Sequence, residues 1–187
     1  MMEWTIPGTV LTAQREDAVN VESQFRAMFL AGGMVLSQVS GITGLESYMV
    51  QNWVKRGFLT KPQQKRYTLR QLCRIININM LKNALAMEEI CGLLTYINGH
   101  LDDESDDLID DSTLYFMFIR LAARVWELSD PAEQERILDD MLADYQEPIP
   151  GARRRVKQVL RIMLTAWIAS RMRQEAERML KALPKGE

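Results

Sequence analysis

A chain of 187 residues, 47% of them hydrophobic, is long enough for one large domain or two small ones with a real core. Its most apolar stretch, Val159 to Ala169, is short and carries Arg161, and Glu3 interrupts any basic-then-apolar leader, so the expectation is a cytoplasmic protein with no membrane span. The net charge of -2 hides segregation: residues 34–98 carry eight Lys/Arg against three Glu, residues 99–150 three Arg against fifteen Asp/Glu, and residues 151–187 ten Lys/Arg against three Glu, a pattern that pairs a polyanion-facing part with an acidic part held apart from it.

The elements read as nearly all helical. Asp17 to Ala31 forms an amphipathic helix with Val21, Phe25, Met28 and Phe29 on its apolar side, stopped by Gly32-Gly33. A short helix from Val35 to Ser40 leads into the turn Gly41-Ile42-Thr43-Gly44, and the next helix runs from Glu46 to Arg56, with Gly57 as its stop. Phe58-Leu59, a loop through Pro62, and Arg66-Tyr67 are the one candidate for β structure. Thr68 caps a helix from Leu69 to Leu81, whose apolar positions Leu72, Ile75, Ile76 and Met80 share a face, and another helix covers Met87 to Asn98.

The run Asp102-Asp103-Glu104-Ser105-Asp106-Asp107 has no core-forming residue and marks a boundary over residues 99–111, read as a solvated linker whose Asp110 and Asp111 favour the next helix N-terminus. Beyond it Ser112 caps a helix to Leu128. Asp130-Pro131 with Glu133 is a strong helix start, and a long last helix spans Arg153 to Leu183. Its segment Val159 to Ala169 is apolar on nearly all sides, which calls for burial against other helices or a second subunit. The cations Arg153, Arg154, Arg155 and Lys157 at that helix start imply an acidic neighbour within Asp139 to Glu147. The domain reading is an N-terminal helical segment (1–33), a winged helix-turn-helix unit (34–98), the acidic linker (99–111) and a C-terminal helical domain for dimerisation or an effector (112–187).

The function-bearing constellation lies between Val35 and Tyr67. A helix-turn-helix works because a first helix braces a second whose exposed residues meet base edges in the major groove. Val35, Leu36 and Val39 would pack the first helix, with Ile42, Leu45, Val50, Trp53 and Val54 fixing the second against it. Ser47, Tyr48, Gln51, Asn52 and Lys55 remain exposed; Gln and Asn hydrogen-bond adenine in two places, and Tyr reaches base or phosphate. Lys55, Arg56, Lys61, Lys65 and Arg66, with Tyr67 at the end of the wing, would sit on phosphates.

Ile42-Thr43-Gly44-Leu45, Trp53, Gly57-Phe58-Leu59, Pro62 and Tyr67 resemble the winged helix-turn-helix of the MerR regulators, and the likeness continues through Leu69-Arg70-Gln71-Leu72 and Met87 to Leu94. More narrowly, Gln51-Asn52-Trp53-Val54-Lys55-Arg56-Gly57, Lys65-Arg66-Tyr67 and Ile76 to Lys82 resemble an uncharacterised family of Gram-positive bacterial proteins known only as a domain of unknown function. The resemblance implies an all-α fold with a small β wing, a MerR-like winged helix-turn-helix joined to a helical domain, and transcription regulation by binding double-stranded DNA. Departures limit what carries over. Glu46 stands where a capping Ser or Thr is usual, Gln51-Asn52-Trp53 replaces Arg-Tyr-Tyr, and the stretch from Pro62 to Tyr67 is short for a wing.

Other chemistries find less support. No Ser-His-Asp set, Gly-rich phosphate loop or His/Cys metal spacing exists, so the expectation is a non-enzyme with no cofactor and no metal. The acidic run lacks the Gly and closing Glu of a calcium loop, since the sixth position from Asp102 is Asp107 and the twelfth is Thr113. Cys73 and Cys91 read as core residues, and His100 as a loop residue. Tyr115, Phe116, Phe118, Trp126 and Trp167 are core at helical spacing or, alternatively, the lining of an apolar effector pocket. The expected partners are double-stranded DNA, a second copy of the chain and, on no firmer ground than those aromatics, a small-molecule effector. The alternative class is a protein-protein interaction module on the same scaffold, without DNA binding.

Overall fold

A computed structural model describes residues 3–128 and 130–183. The chain begins with an antiparallel hairpin, β1 (Glu3–Thr5) against β2 (Thr12–Gln14), with Glu3 opposite Gln14. Gly8 turns the chain at a φ of +75°, and a Cβ there would lie 2.7 Å from the Ile76 carbonyl oxygen, so both the turn and the close approach require glycine. Trp4 and Ile6 are carried inward and buried. Among the described residues this is the one regular sheet. The β structure expected over 58–67 is reduced there to two isolated bridges, Gln63–Arg66 and Met34–Tyr67. Strands of three residues are too short to announce themselves by alternation. The helix expected from Asp17 is divided: a 3-10 turn over Arg15–Asn20 precedes α1 (Val21–Met28), and Met28 faces solvent.

The remaining elements are α2 (Leu36–Thr43), α3 (Ser47–Lys55), α4 (Leu69–Leu81), α5 (Met87–Asn98), α6 (Asp111–Arg124), α7 (Pro131–Met141) and α8 (Ala152–Lys181). Their ends follow local chemistry. Thr68 and Gln71 form a reciprocal capping box, the Gln71 N–H donating to Thr68 Oγ1 at 3.2 Å and the Thr68 N–H to Gln71 Oε1 at 2.9 Å. Asp130 Oδ1 accepts from the Ala132 N–H at 3.0 Å, one residue past the N1 proline. The cap of α6 is Asp110, whose Oδ1 accepts from the Ser112 and Thr113 N–H groups, and the helix stops at Arg124, short of Leu128. Ser112 therefore belongs inside the helix, because the carboxylate before it reaches both orphan donors.

α4 is the central helix. Leu72, Cys73, Ile75, Ile76, Asn77, Ile78 and Leu81 are buried on more than one side of it, and it packs against α2, α5, α6 and α8. The expected single apolar face understates this. One hydrophobic core connects the N-terminal hairpin, α4, α6 and α8. Tyr115, Phe116 and Phe118 of α6 are core: Tyr115 and Phe116 meet Phe25 edge-on or tilted, and Phe118 meets Trp167. Trp126 and Trp167 lie against each other at the edge of that core, with Trp4 edge-on to Trp126. Cys73 is buried; Cys91 is half-buried.

α8 buries Val156, Val159, Leu160, Met163, Leu164 and Trp167, and then continues from Met172 to Lys181 with every side chain exposed. Ile162 faces solvent, so the apolar segment is not covered on all sides. Among the described residues no helix is long and apolar enough to cross a membrane. The acidic neighbour expected for the start of α8 is present: Lys157 Nζ stands 2.6 Å from Asp139 and 3.0 Å from Glu135, and Glu147 accepts from the Arg153 N–H at 2.7 Å.

Candidate functional site

The turn between α2 and α3 is short and tightly determined. α2 extends through Gly41 to Thr43 and is closed by Gly44 in the left-handed conformation (φ +68°), its N–H donating to the Ser40 carbonyl at 2.8 Å. Thr43 Oγ1 donates to the Val39 carbonyl at 2.8 Å, anchoring the last turn. Val39, Ile42, Leu45, Val50 and Trp53 are buried between the two helices and α4. Val35, expected to pack inward, instead precedes the helix as an exposed residue whose N–H donates to Gln38 Oε1 at 3.0 Å.

This packing leaves one side of α3 to solvent. Ser47, Tyr48, Gln51, Asn52 and Lys55 are all exposed, Tyr48 with 68% of its surface free. Ser47 Oγ lies 3.0 Å from Ser40 Oγ, which ties the start of α3 back to α2. Glu46 offers no side-chain cap and is itself exposed, so a negative charge borders this face.

Beyond α3 the chain is held to α4 at both ends of a loop. Arg74 Nε donates to the Phe58 carbonyl at 3.0 Å, and Gln71 Nε2 donates to Thr60 Oγ1 at 2.8 Å and to the Lys61 carbonyl at 3.2 Å. The loop then reverses at Gln64-Lys65, where two consecutive non-glycine residues take positive φ (47° and 62°) and the Arg66 N–H donates to the Gln63 carbonyl at 2.8 Å. That is the backbone of a tight type I′ turn. Tyr67 closes it by exchanging both backbone hydrogen bonds with Met34, at 2.7 and 2.9 Å.

Not every residue expected at the interface is free to serve there. Tyr67 is buried, its hydroxyl pKa raised by burial; its place in the ladder with Met34 draws the ring into the core, off the exposed face. Arg66 is exposed, yet its Nη1 donates to the Gly33 carbonyl at 2.7 Å. Arg56 lies over the Phe58 ring at 4.5 Å and 3.1 Å from Glu88 of α5. Lys55, Lys61 and Lys65 are exposed, and among the described residues none of the three forms an ion pair. Between the start of α2, α3 and the turn runs a groove of about 600 Å³, lined by Val35, Leu36, Gln51, Val54, Pro62 and Lys65 among others.

The acidic segment does not behave as a solvated linker. Leu108 and Ile109 are buried, and Glu104, Asp107 and Asp111 turn back onto the arginines of α4. Arg70 reaches Glu104 at 2.9 Å and Asp107 at 2.7 Å; Arg74 reaches both oxygens of Asp111 at 3.4 Å, where Asp111 is 1% exposed. Burial raises the Asp111 carboxyl pKa, against the pull of Arg74 and Arg70. Asn77 Nδ2 donates to the Asp111 carbonyl at 3.3 Å and fixes the start of α6. Gln71, Arg74 and Asn77, which hold the loop and the acidic segment, lie outside the site residues the sequence points to; polar residues on the buried faces of α4 are the signal that marks them. A cleft of about 710 Å³ separates the 57–63 loop from Leu101, Asp102 and Glu104, with Lys61 on its basic side. His100, exposed in the loop after α5, faces Asp106 at 3.1 Å.

This arrangement gives a fixed, solvent-facing helix beside a pinned basic turn, with Glu104, Asp107 and Asp111 of the acidic segment committed to Arg70 and Arg74 and Glu46 left at the border of the face. Residues 32–118 match the protein family described as Domain of unknown function (DUF1836). The matched region runs from just before α2 into α6, and so contains α3, the turn at Gln64-Lys65 and the acidic segment. No curated protein and no solved structure matches the chain.

Proposed function

We propose that this chain is a transcription regulator and not an enzyme, built on a MerR-like winged helix-turn-helix, with α3 reading the major groove of double-stranded DNA. The observation that carries the reading is the division of α3: Val50 and Trp53 are buried, while Tyr48, Gln51, Asn52 and Lys55 form an exposed polar face. Gln51 and Asn52 supply base-edge hydrogen bonds; Lys55, Lys61 and Lys65 supply phosphate contacts that set affinity and its salt dependence. Arg56 and Arg66 join them on phosphates by exchanging their present partners, and Tyr67 acts as the anchor of the wing. The protein binds as a homodimer, since paired half-sites are the usual target of such modules.

Mobility-shift selection of genomic fragments at low salt tests this directly. The expected result is retarded fragments that share a motif. In the Gln51→Ala/Asn52→Ala variant the motif preference is lost while non-specific, salt-sensitive binding persists. Failure to retard any fragment overturns the DNA reading; unchanged preference in the variant overturns the assignment of α3.

The groove beside α3 favours a second reading. Val35, Leu36, Val54 and Pro62 give it apolar walls, which suit a peptide segment of a partner protein. That alternative predicts a co-purifying protein and no salt-dependent affinity for DNA.

A further inference from the structure

A third cavity, of about 440 Å³, lies away from α3, between the turn at residues 5–9, the end of α4 and the part of α8 from Trp167 to Gln174. Among the described residues two cations line it, Lys82 and Arg171, and no Asp or Glu does. Arg171 rests 3.5 Å from the ring centre of Trp126 and 4.8 Å from that of Trp167, contacts that orient the guanidinium without neutralising it. Lys82 and Arg171 are each half-buried, and burial lowers both pKa values with no neighbouring carboxylate to oppose it. Ser170, one residue before Arg171 and part of the cavity wall, is buried at 6% exposure, and its Oγ has no hydrogen-bond partner among the described residues. Ile6, Pro7, Met80 and the two indoles supply apolar wall.

Half-buried cations without counter-ions and a buried hydroxyl without a partner each cost stability, and a single group satisfies all three: an anion with several acceptor oxygens. We infer that this cavity binds a small organic anion, its phosphate or carboxylate held by Arg171 and Lys82 with a hydrogen bond from Ser170 Oγ, and its apolar part laid against Trp126 and Trp167. The site stands whether or not α3 binds DNA.

Phenyl phosphate is a suitable probe, with phenol as the uncharged control. Two of the four tryptophans line the cavity, so intrinsic fluorescence reports occupancy, and calorimetry on the full chain gives the stoichiometry. The expected result is saturable one-to-one binding of phenyl phosphate and none of phenol at the same concentration. Arg171→Ala and Lys82→Gln each weaken binding about tenfold or more, the usual loss for a charge-assisted contact. Arg178→Ala, further along α8 and paired with Glu175, leaves it unchanged. Lys82→Gln and Ser170→Ala guard against a folding defect in the arginine variant, and circular dichroism verifies each fold. Absence of saturation up to about 10 mM, a concentration weaker than any useful effector affinity, overturns the inference. Equal affinity in the wild type and in folded Lys82→Gln also overturns it.

Discussion

At the scale of single residues the most consequential contact is Arg74 with Asp111, joined 3.4 Å apart in a region where Arg74 is 5% and Asp111 1% exposed. A buried pair stabilises little against an apolar replacement, but removing one partner strands the other charge. Arg74→Ala is therefore expected to cost about 3–5 kcal/mol, and to free the Phe58 carbonyl as well. Urea unfolding measures the loss; a double variant, Arg74→Met with Asp111→Leu, should recover a large part of it. Asp107 adds a pH dependence. Burial lifts its carboxyl from 3.8 to about 6 despite Arg70 at 2.7 Å, and its Oδ1 has no hydrogen-bond partner among the described residues. A group whose pKa is raised on folding keeps a proton that the unfolded chain releases, so its stabilising effect is complete below the ordinary carboxylate range and is lost as pH rises through about 6. The unfolding free energy should fall across that window, and Asp107→Asn should flatten the fall. A wild-type profile that rises there relative to Asp107→Asn would contradict the assignment.

At the scale of elements, the turn Gln63–Arg66 separates fold from function. Two adjacent non-glycine residues in the left-handed region carry strain of about 1 kcal/mol each, which the type I′ pair Asn-Gly relieves. Replacing Gln64-Lys65 by Asn-Gly should raise the melting temperature by several degrees, a few degrees per kcal/mol for a chain of this size. If the turn is a DNA-binding wing, the same change removes one phosphate contact, weakens DNA affinity and lowers the salt slope by about one. A more stable protein with unaltered DNA affinity would remove Lys65 from the interface. Elements of this kind also mark the limit of what sequence makes legible. Thr68, Asp130-Pro131 and Gly57 announce their helix ends because capping chemistry is local. The hairpin at Glu3–Gln14 is invisible to periodicity, since its strands are three residues long. Asp111 reads as solvated because it belongs to a charge run, and only the fold brings Arg70 and Arg74 to that run. Tyr67 reads as a wing residue because its sequence neighbours are basic, whereas its ladder with Met34, 33 positions earlier, turns it inward. On α3 the exposed face was legible in full, since helical spacing from Val50 and Trp53 settles which side faces out.

At the scale of the whole molecule, the end of α8 from Met172 to Lys181 keeps every side chain exposed among the described residues. Met172, Met179 and Leu180 are each more than 60% exposed, and 172, 179 and 180 fall at the spacing of one helical stripe; Leu183, past the end of the helix, is exposed as well. Around them the charges are paired locally, Arg173 with Glu177 and Arg178 with Glu175, which leaves the apolar stripe bordered by neutralised pairs. A stripe of this kind, projecting past the core, suits an isologous contact with a second copy of the same helix. Such a dimer would hold two α3 helices at a fixed spacing, which is what paired half-sites require. Met179→Glu with Leu180→Glu is expected to convert a dimer into a monomer in sedimentation equilibrium, with the far-UV spectrum of the folded core retained. DNA containing two half-sites should then bind more weakly by a large factor, while a single half-site binds as before, because the loss is one of avidity and not of contacts at α3. A wild-type chain that sediments as a monomer with and without DNA removes the dimer. A variant that stays dimeric removes the end of α8 from the interface.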